Sequence, residues 1–378
     1  MKLKFRLSLI VIAILAVVIS IVSVVLLSRA RGMQTTTAQS EITNLTGVAS
    51  KNLEVYFEGY LYTINTLAFI MADYDDVEPD RRRARYDANM LAVIESNPNL
   101  VSIYTLWNPG FIDGSMEPYD SWFSKRDSAT IQTLRLRDTE DLSNLYATMS
   151  TKIMISDVER GKFMGKDIWQ MRVTVPIINN KTNQQVGFVG IIVDLSYAEE
   201  LISNATTLKT AGYTNGREIL YTKNGTIAAH YDISMVGKNI RDPESLRILG
   251  QEAVDNTLET LRTGVPDTGQ NAGRFFASYP FTVGSSEDTL TVLSSVPSED
   301  VFHYIKEMTQ FTVLIAAIMI IVSAIVIWFV SSNIAKRIVL VGARMKDIAQ
   351  GEGDLTSRIT MNDNDEIGEM SNYFNQTM

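Results

Sequence analysis

Cysteine is absent from the 378 residues, which removes disulfides, thiolate nucleophiles and cysteine metal ligands together. Histidine occurs only at His230 and His303, so a multi-histidine metal centre is excluded as well. The chain has no P-loop, dinucleotide fingerprint or zinc motif, and no cofactor is expected. A basic excess is also lacking. The 34 Lys/Arg against 43 Asp/Glu leave a net charge of −9 and a pI near 5.0, without the footprint a nucleic-acid partner requires. A Ser-His-Asp triad would need a histidine that reads as a strand residue (His230) or one beside an apolar run (His303). The paired carboxylates Asp75-Asp76 and Asp363 with Asp365 read as turn and cap residues. No enzymatic activity is expected.

The apolar content, 46% of residues against 20% charged, is unevenly spread. Residues 7–27 form one apolar run and residues 311–330 another, each long enough at about 1.5 Å per residue to cross a hydrocarbon core of roughly 30 Å. The first run exceeds a signal-peptide h-region, and no A-x-A-like site follows Leu27, which favours an uncleaved anchor. Lys2, Lys4 and Arg6 precede it, with Arg29 and Arg31 after. Lys306 precedes the second run, and Lys336 and Arg337 follow it. The cation bias predicts both ends in the cytoplasm, with the intervening part outside, in a two-pass membrane protein. Residues 32–310 hold 24 Lys/Arg and 36 Asp/Glu, a net of −12, so the acidic charge belongs to the exported part.

That part opens with Ile42, Leu45, Ala49, Leu53, Tyr56, Tyr60, Ile64, Leu67 and Met71, which recur at three and four as one face of a long helix. The acidic stretch at Asp73 and Pro79 break it, and a short helix over 81–95 follows. Arg81, Arg82, Arg83 and Arg85 read as its solvated face. Strand-like stretches lie at 100–107, 168–178 and 187–195, the last two joined by an Asn-rich turn, and 196–208 reads as a helix. A second sheet is predicted from a hairpin at 218–221 and 226–230 around Asn224-Gly225, with strands at 274–279 and 290–296. From Asp300 the chain turns helical and enters the second run. The fold class is α+β: two antiparallel-sheet modules on one long N-terminal helix.

This order of parts resembles the bacterial double-Cache sensor of methyl-accepting chemotaxis receptors and some sensor kinases, with PAS-like modules. Three segments carry the likeness: Trp107-Asn-Pro-Gly-Phe-Ile-Asp-Gly114; Val175-Pro-Ile-Ile with Gly187-Phe-Val-Gly190; and Leu220-Tyr-Thr-Lys-Asn-Gly-Thr-Ile-Ala-Ala-His230 followed by Val236-Gly-Lys-Asn. Gly351-Glu-Gly-Asp-Leu-Thr356 with Asp365-Glu-Ile-Gly368 resembles the HAMP relay module. Ile334, Ile338, Val341, Met345 and Ile348 form a heptad seam before the glycines, and Ile367, Met370 and Phe374 begin a second one. Asp363 with Glu366 reads as a capping-box-like start. HAMP modules commonly carry a proline early in the first helix, whereas Lys336-Arg337-Ile338 stands here.

The expected organisation is a cytoplasmic N-terminus at 1–6, spans at 7–27 and 311–330, and a sensor at 32–310. Within the sensor, the distal module covers about 75–208 and the proximal module about 209–300. An incomplete HAMP module follows at 331–378. The chain is expected to be truncated before an output domain.

In the resembled family a small-molecule ligand sits against the distal sheet. Trp107, Tyr119, Trp122 and Phe123 are the aromatic candidates here, with Asp113, Asp120 and Arg126 as nearby charge. Strand alternation puts Trp169, Met171 and Val173 on one face and Gln170 and Arg172 on the other. The family's amino-acid binders carry an arginine two residues before an aromatic pair; Asp120 stands there, ahead of Trp122-Phe123. Their aspartate falls at Ile192, or at Asp194 if the register slips by two. The resemblance implies a homodimeric chemoreceptor of the cell inner membrane, acting through a cytoplasmic chemotaxis adaptor and kinase. The alternative is the sensory front half of a histidine kinase or diguanylate cyclase, decided by what lies beyond Met378. A third reading, an anchored binding protein without signalling, conflicts with the relay motif.

Overall fold

The structure, a computed structural model, describes residues 3–97, 100–117, 119–125, 131–134, 151–163, 166–271, 273–350, 358–359 and 365–377. It forms two compact units: Gln34–Val301, and Met1–Met33 together with Phe302–Met378.

The predicted helical face belongs to α1 (Leu3–Ala72). Ile42, Ala49, Leu53, Ile64, Leu67 and Met71 are buried, while Leu45, Tyr56 and Tyr60 are half-buried. A 3-10 turn, Tyr74–Asp76, separates it from α2 (Pro79–Ser96). Pro79 sits in the first turn of α2, where its missing N–H costs no intrahelical bond. Tyr86, Met90 and Ile94 of α2 join the α1 residues in one core.

Seven antiparallel strands complete the first module: β1 (Leu100–Trp107), β2 (Tyr119–Lys125), β3 (Ile131–Leu134), β4 (Met154–Ile155), β5 (Glu159–Phe163), β6 (Lys166–Ile178) and β7 (Gln185–Asp194). Their order is β3-β2-β1-β7-β6-β4, with β5 also paired to β6. The Asn-rich turn between β6 and β7 closes on Asn179, whose Oδ1 accepts from the backbone N–H of Lys181 and Thr182 at 3.0 and 2.9 Å. Strand β2 was not foreseen. Its Asp120 and Ser121 are both buried, so the apolar–polar alternation that marks a half-exposed strand is missing.

The predicted 196–208 helix is two pieces, α3 (Ser196–Asn204) and α4 (Thr206–Thr210), parted at Ala205 with φ +43°. The second module comprises β8 (Arg217–Tyr221), β9 (Ile227–His230), α5 (Pro243–Leu249), α6 (Gln251–Thr263), β10 (Asp267–Asn271), β11 (Arg274–Thr282) and β12 (Thr289–Pro297), with sheet order β10-β11-β12-β8-β9. Sequence periodicity missed α5, α6 and β10. The buried side of α6 is Ala253, Val254, Thr257, Thr260 and Leu261, too small and hydroxylic to stand out. Strand β10, Asp-Thr-Gly-Gln-Asn, is polar and held as an edge by pairing with β11.

After α7 (Ser298–Val301), α8 (His303–Ala349) carries the second apolar run, and α9 (Glu366–Thr377) is the last helix. Helices α1 and α8 are each long and apolar enough to cross a membrane. In this unit Phe5 meets Trp328 edge-on at 5.2 Å. Val341 packs with Ile359 and Phe374, and Asn375 holds both backbone groups of Ile359, each at 2.8 Å. Asp363 lies outside the described residues. Asp365, just before α9, caps it: its Oδ1 accepts from Gly368 N–H at 2.9 Å.

Candidate functional site

The first sheet has two unlike faces. One, carrying Ile103, Trp107, Phe123, Met171, Val173 and Ile191, packs against α1 and α2. The other carries a smaller cluster of Val101, Tyr104, Leu106, Phe188 and Ile192, with Trp122 and Ile168 half-buried against it. Cross-strand register adds polar groups to this second face. Asp120 is opposite Leu106, Trp122 opposite Tyr104, Arg172 opposite Ile192 and Thr174 opposite Gly190. The Tyr104 and Thr174 hydroxyls bond across it at 3.0 Å. Gly190 makes that possible, because a Cβ there would lie 2.3 Å from the Tyr104 ring. Asp120 is fully buried, and the buried Trp122 indole N–H has no acceptor among the described residues. A carboxylate, an N–H donor with no acceptor among the described residues and aromatic surface on one face are what a small polar ligand with a cationic end requires.

The sequence-predicted residues divide between the faces. Asp120, Trp122 and Arg172 share the second one. The Nε of Arg172 meets Glu159 at 2.9 Å, and Gln170 also donates to Glu159, at 3.0 Å. Trp107 lies in the helix-side core, stacked on Tyr86 at 5.5 Å. Tyr119 is on that side too. Its hydroxyl donates to Asp87 at 2.7 Å, and the Arg83 guanidinium lies 4.4 Å from its ring. Arg83 also pairs with Asp113 at 2.5 Å. Trp169 faces the second module, where a Cβ on Gly237 would come 2.5 Å from its ring. The carboxylate of Asp194 accepts from Ser196 N–H and hydroxyl at 2.9 and 2.7 Å, at the start of α3. Arg126 lies outside the described residues.

Two arginines read as solvated are engaged instead. Arg82 donates to the carbonyls of Val77 and Ile112 at 2.7 and 3.0 Å, and Arg83 holds Asp113, so α2 fastens the loop after β1. The Ile112 carbonyl and the Asp113 carboxylate that this loop presents explain this, and charge patterning alone could not reveal them. Sequence reasoning also passed over Tyr104 and Thr174; Gly190, which leaves room over β7 for the Tyr104 ring, is the signal that could have found them.

Glu218, on β8, is a buried acid that the site does not use. Burial pushes its carboxyl up to about 7, against an opposing hydrogen bond from the Thr207 hydroxyl at 2.8 Å and the positive charge of Lys209. The folded state therefore holds this proton more tightly than the unfolded chain does. Stability should fall as pH rises from about 4.5 through 7 and then level, a loss of order 3 kcal/mol at full expression. Melting curves at pH 5 and 8 should show that decline, and Glu218→Gln should flatten it. An equal decline in the variant would assign the effect to another group.

Residues 329–378 match the HAMP domain family. The chain is similar to the methyl-accepting chemotaxis protein PctB of Pseudomonas aeruginosa, 22% identical over 214 residues, which cover 57% of this chain and 32% of that protein. It spans about a third of the length of the curated relatives it matches. In fold it is similar to the periplasmic sensory domain of the Campylobacter jejuni chemoreceptor Tlp1, with TM-score 0.53 and 15% identity over 71% of this chain and 98% of that one. The extracellular domain of mmHK1S-Z3, assigned as a histidine kinase, matches with TM-score 0.53 and 16% identity over 73% and 98%. The α+β fold expected from the sequence, two antiparallel modules on a long helix, is therefore that of bacterial sensory domains. The relay motif read at its C-terminal side is a HAMP domain.

Proposed function

We propose that the chain is the sensory and relay part of a two-pass inner-membrane chemoreceptor that controls a chemotaxis kinase through its adaptor. One observation carries this: a sensory fold stands between two apolar helices, and the second of them, α8, runs into a HAMP domain. The fold alone is shared with histidine-kinase sensors, but the curated relatives are chemotaxis receptors, which favours the chemoreceptor over the kinase or cyclase alternative. On this reading the spans lie at 7–27 and 311–330, the sensor at 32–310 is outside the cytoplasm, and the relay occupies 331–378. The distal module covers 75–208 and the proximal module 209–300. The ligand is a small molecule held on the face of Tyr104, Asp120, Trp122 and Arg172. It shifts the receptor only by binding one state better than the other.

A homodimer fits two seams with exposed apolar residues. Ile334, Ile338 and Met345 are exposed on α8. On α1, Val48, Val55, Tyr62 and Phe69 are exposed by 51%, 58%, 68% and 68%, an interval of seven each time. A straight helix drifts about 20° per heptad, so a strict repeat of seven favours a supercoiled partner helix.

The test uses topology and cross-linking together. A reporter fused at Gly212 should be active only outside the cytoplasm, and one fused at Met378 only inside. Cysteines at Ile338 and Val55 should cross-link between subunits, and one at Lys346 much less. The opposite reporter pattern would overturn the membrane reading, and equal yields at all three positions would overturn the dimer.

A further inference from the structure

Asp157 has no part in the candidate ligand face, yet its carboxylate accepts four hydrogen bonds. Oδ1 takes the Thr222 hydroxyl at 2.7 Å and Val158 N–H at 3.1 Å; Oδ2 takes the Thr226 hydroxyl at 2.9 Å and the Asn224 amide at 3.1 Å. Burial raises its pKa, but these donors outweigh burial and leave the carboxyl below its ordinary value. Three of the four donors belong to one turn, the tip of the β8–β9 hairpin. That tip is closed by Gly225 N–H to Thr222 carbonyl at 2.9 Å, with Gly225 at φ +77°. A carboxylate from the first module thus gathers every second residue of a turn in the second.

The contact is reciprocated. Asp288, which precedes β12 and is almost wholly buried, accepts the backbone N–H of Ile155 in β4 at 2.7 Å through Oδ2. Its Oδ1 takes the Lys223 ammonium from the same tip. Each module therefore sends one acid into the other, and the hairpin tip is held by both.

The segment bearing Asp157 also touches the candidate ligand face. Ser156 N–H donates to the Arg172 carbonyl at 2.9 Å, and its hydroxyl accepts from Arg172 N–H at 2.9 Å. The Arg172 side chain pairs with Glu159, two residues beyond Asp157. A shift of β6 at Arg172 must move Ser156, and with it the carboxylate that holds the second module.

We propose that Asp157 and Asp288 form a reciprocal lock between the two modules, and that a change at the Arg172 face reaches the second module through it. The lock is a property of the fold; the transmission rests on the receptor reading above.

Both halves are testable on the full chain in nanodiscs, which the absence of native cysteine makes clean to label. Spin labels on Met116→Cys and Ile233→Cys, exposed by 79% and 62%, report the distance between modules. With labelled chains diluted in an excess of unlabelled chain, so that each dimer carries one labelled pair, the parent should give one narrow distribution, and Asp157→Ala and Asp288→Ala should each broaden or split it. Should either alanine variant melt below the working temperature, the near-isosteric pair Thr222→Val with Thr226→Val removes two donors without cutting the chain's packing, and it decides. A distribution as narrow as the parent's in the folded variants would overturn the lock.

Hydrogen exchange tests the transmission. Arg172→Ala should speed exchange over residues 222–226 by about tenfold in the parent and leave it unchanged in the Asp157→Ala background. Equal acceleration in both backgrounds, or none in the parent, would overturn the route while leaving the lock standing. Neither measurement needs a ligand, so a failed receptor reading would show separately, in the topology and ligand tests.

Discussion

Trp107→Ala should remove about 3–5 kcal/mol of unfolding free energy, the largest loss expected of any single substitution in the first module. The indole is fully buried, stacked on Tyr86 with an interplanar angle of 22° and met edge-on by Tyr74 at 5.5 Å. It ends β1 between Tyr119 of β2 and Gly187 of β7. A Cβ on Gly187 would lie 2.5 Å from the Leu106 carbonyl oxygen, so this corner is closed by backbone and cannot collapse into the cavity. Uncollapsed cavities are the costly ones. Denaturant unfolding of the full chain measures the loss. Trp122→Ala, at a half-buried indole on the opposite face, should cost clearly less. Equal losses would mean that the two faces are equally packed, and the distinction on which the ligand site rests would go with them.

The long helix was legible because its buried residues fall at three and four, and β1 because all eight of its residues are apolar or small and all are buried. The β8–β9 hairpin was legible through Asn224-Gly225, where the turn needs a positive φ. What escaped was built from polar residues with internal partners. Asp120 and Ser121 hide β2, Thr257 and Thr260 hide α6, and β10 exists only because β11 pairs with it. The site shows the same division. Alternation correctly set Arg172 apart from Met171 and Val173, but no local pattern could tell that Trp107 and Tyr119 point to the helices while Asp120 and Trp122 point away. That depends on the antiparallel register of β1 with β2, a strand the sequence did not announce. Asp194 has the right type for a ligand acid, and its Oδ1 accepts from Ser196 at the start of α3.

The most direct test is a thermal-shift screen of the full chain against small metabolites, with Trp122→Ala and Arg172→Ala beside the parent. A ligand present at about 100 times its dissociation constant stabilises the folded state by about 2.7 kcal/mol, a readily measured rise in melting temperature. Asp120 stands where the resembled amino-acid binders carry an arginine, so an α-carboxylate loses its clamp; with Ile192 at their acid position an α-ammonium loses its counter-charge too, whereas in the register slipped by two Asp194 fills that place. The parent should therefore ignore the standard L-amino acids and respond to a small polar or cationic metabolite, and either substitution should abolish the response. A shift with a common L-amino acid, lost in Trp122→Ala, would contradict the ligand class. A shift from any compound that survives both substitutions would contradict the placement of the site on this face.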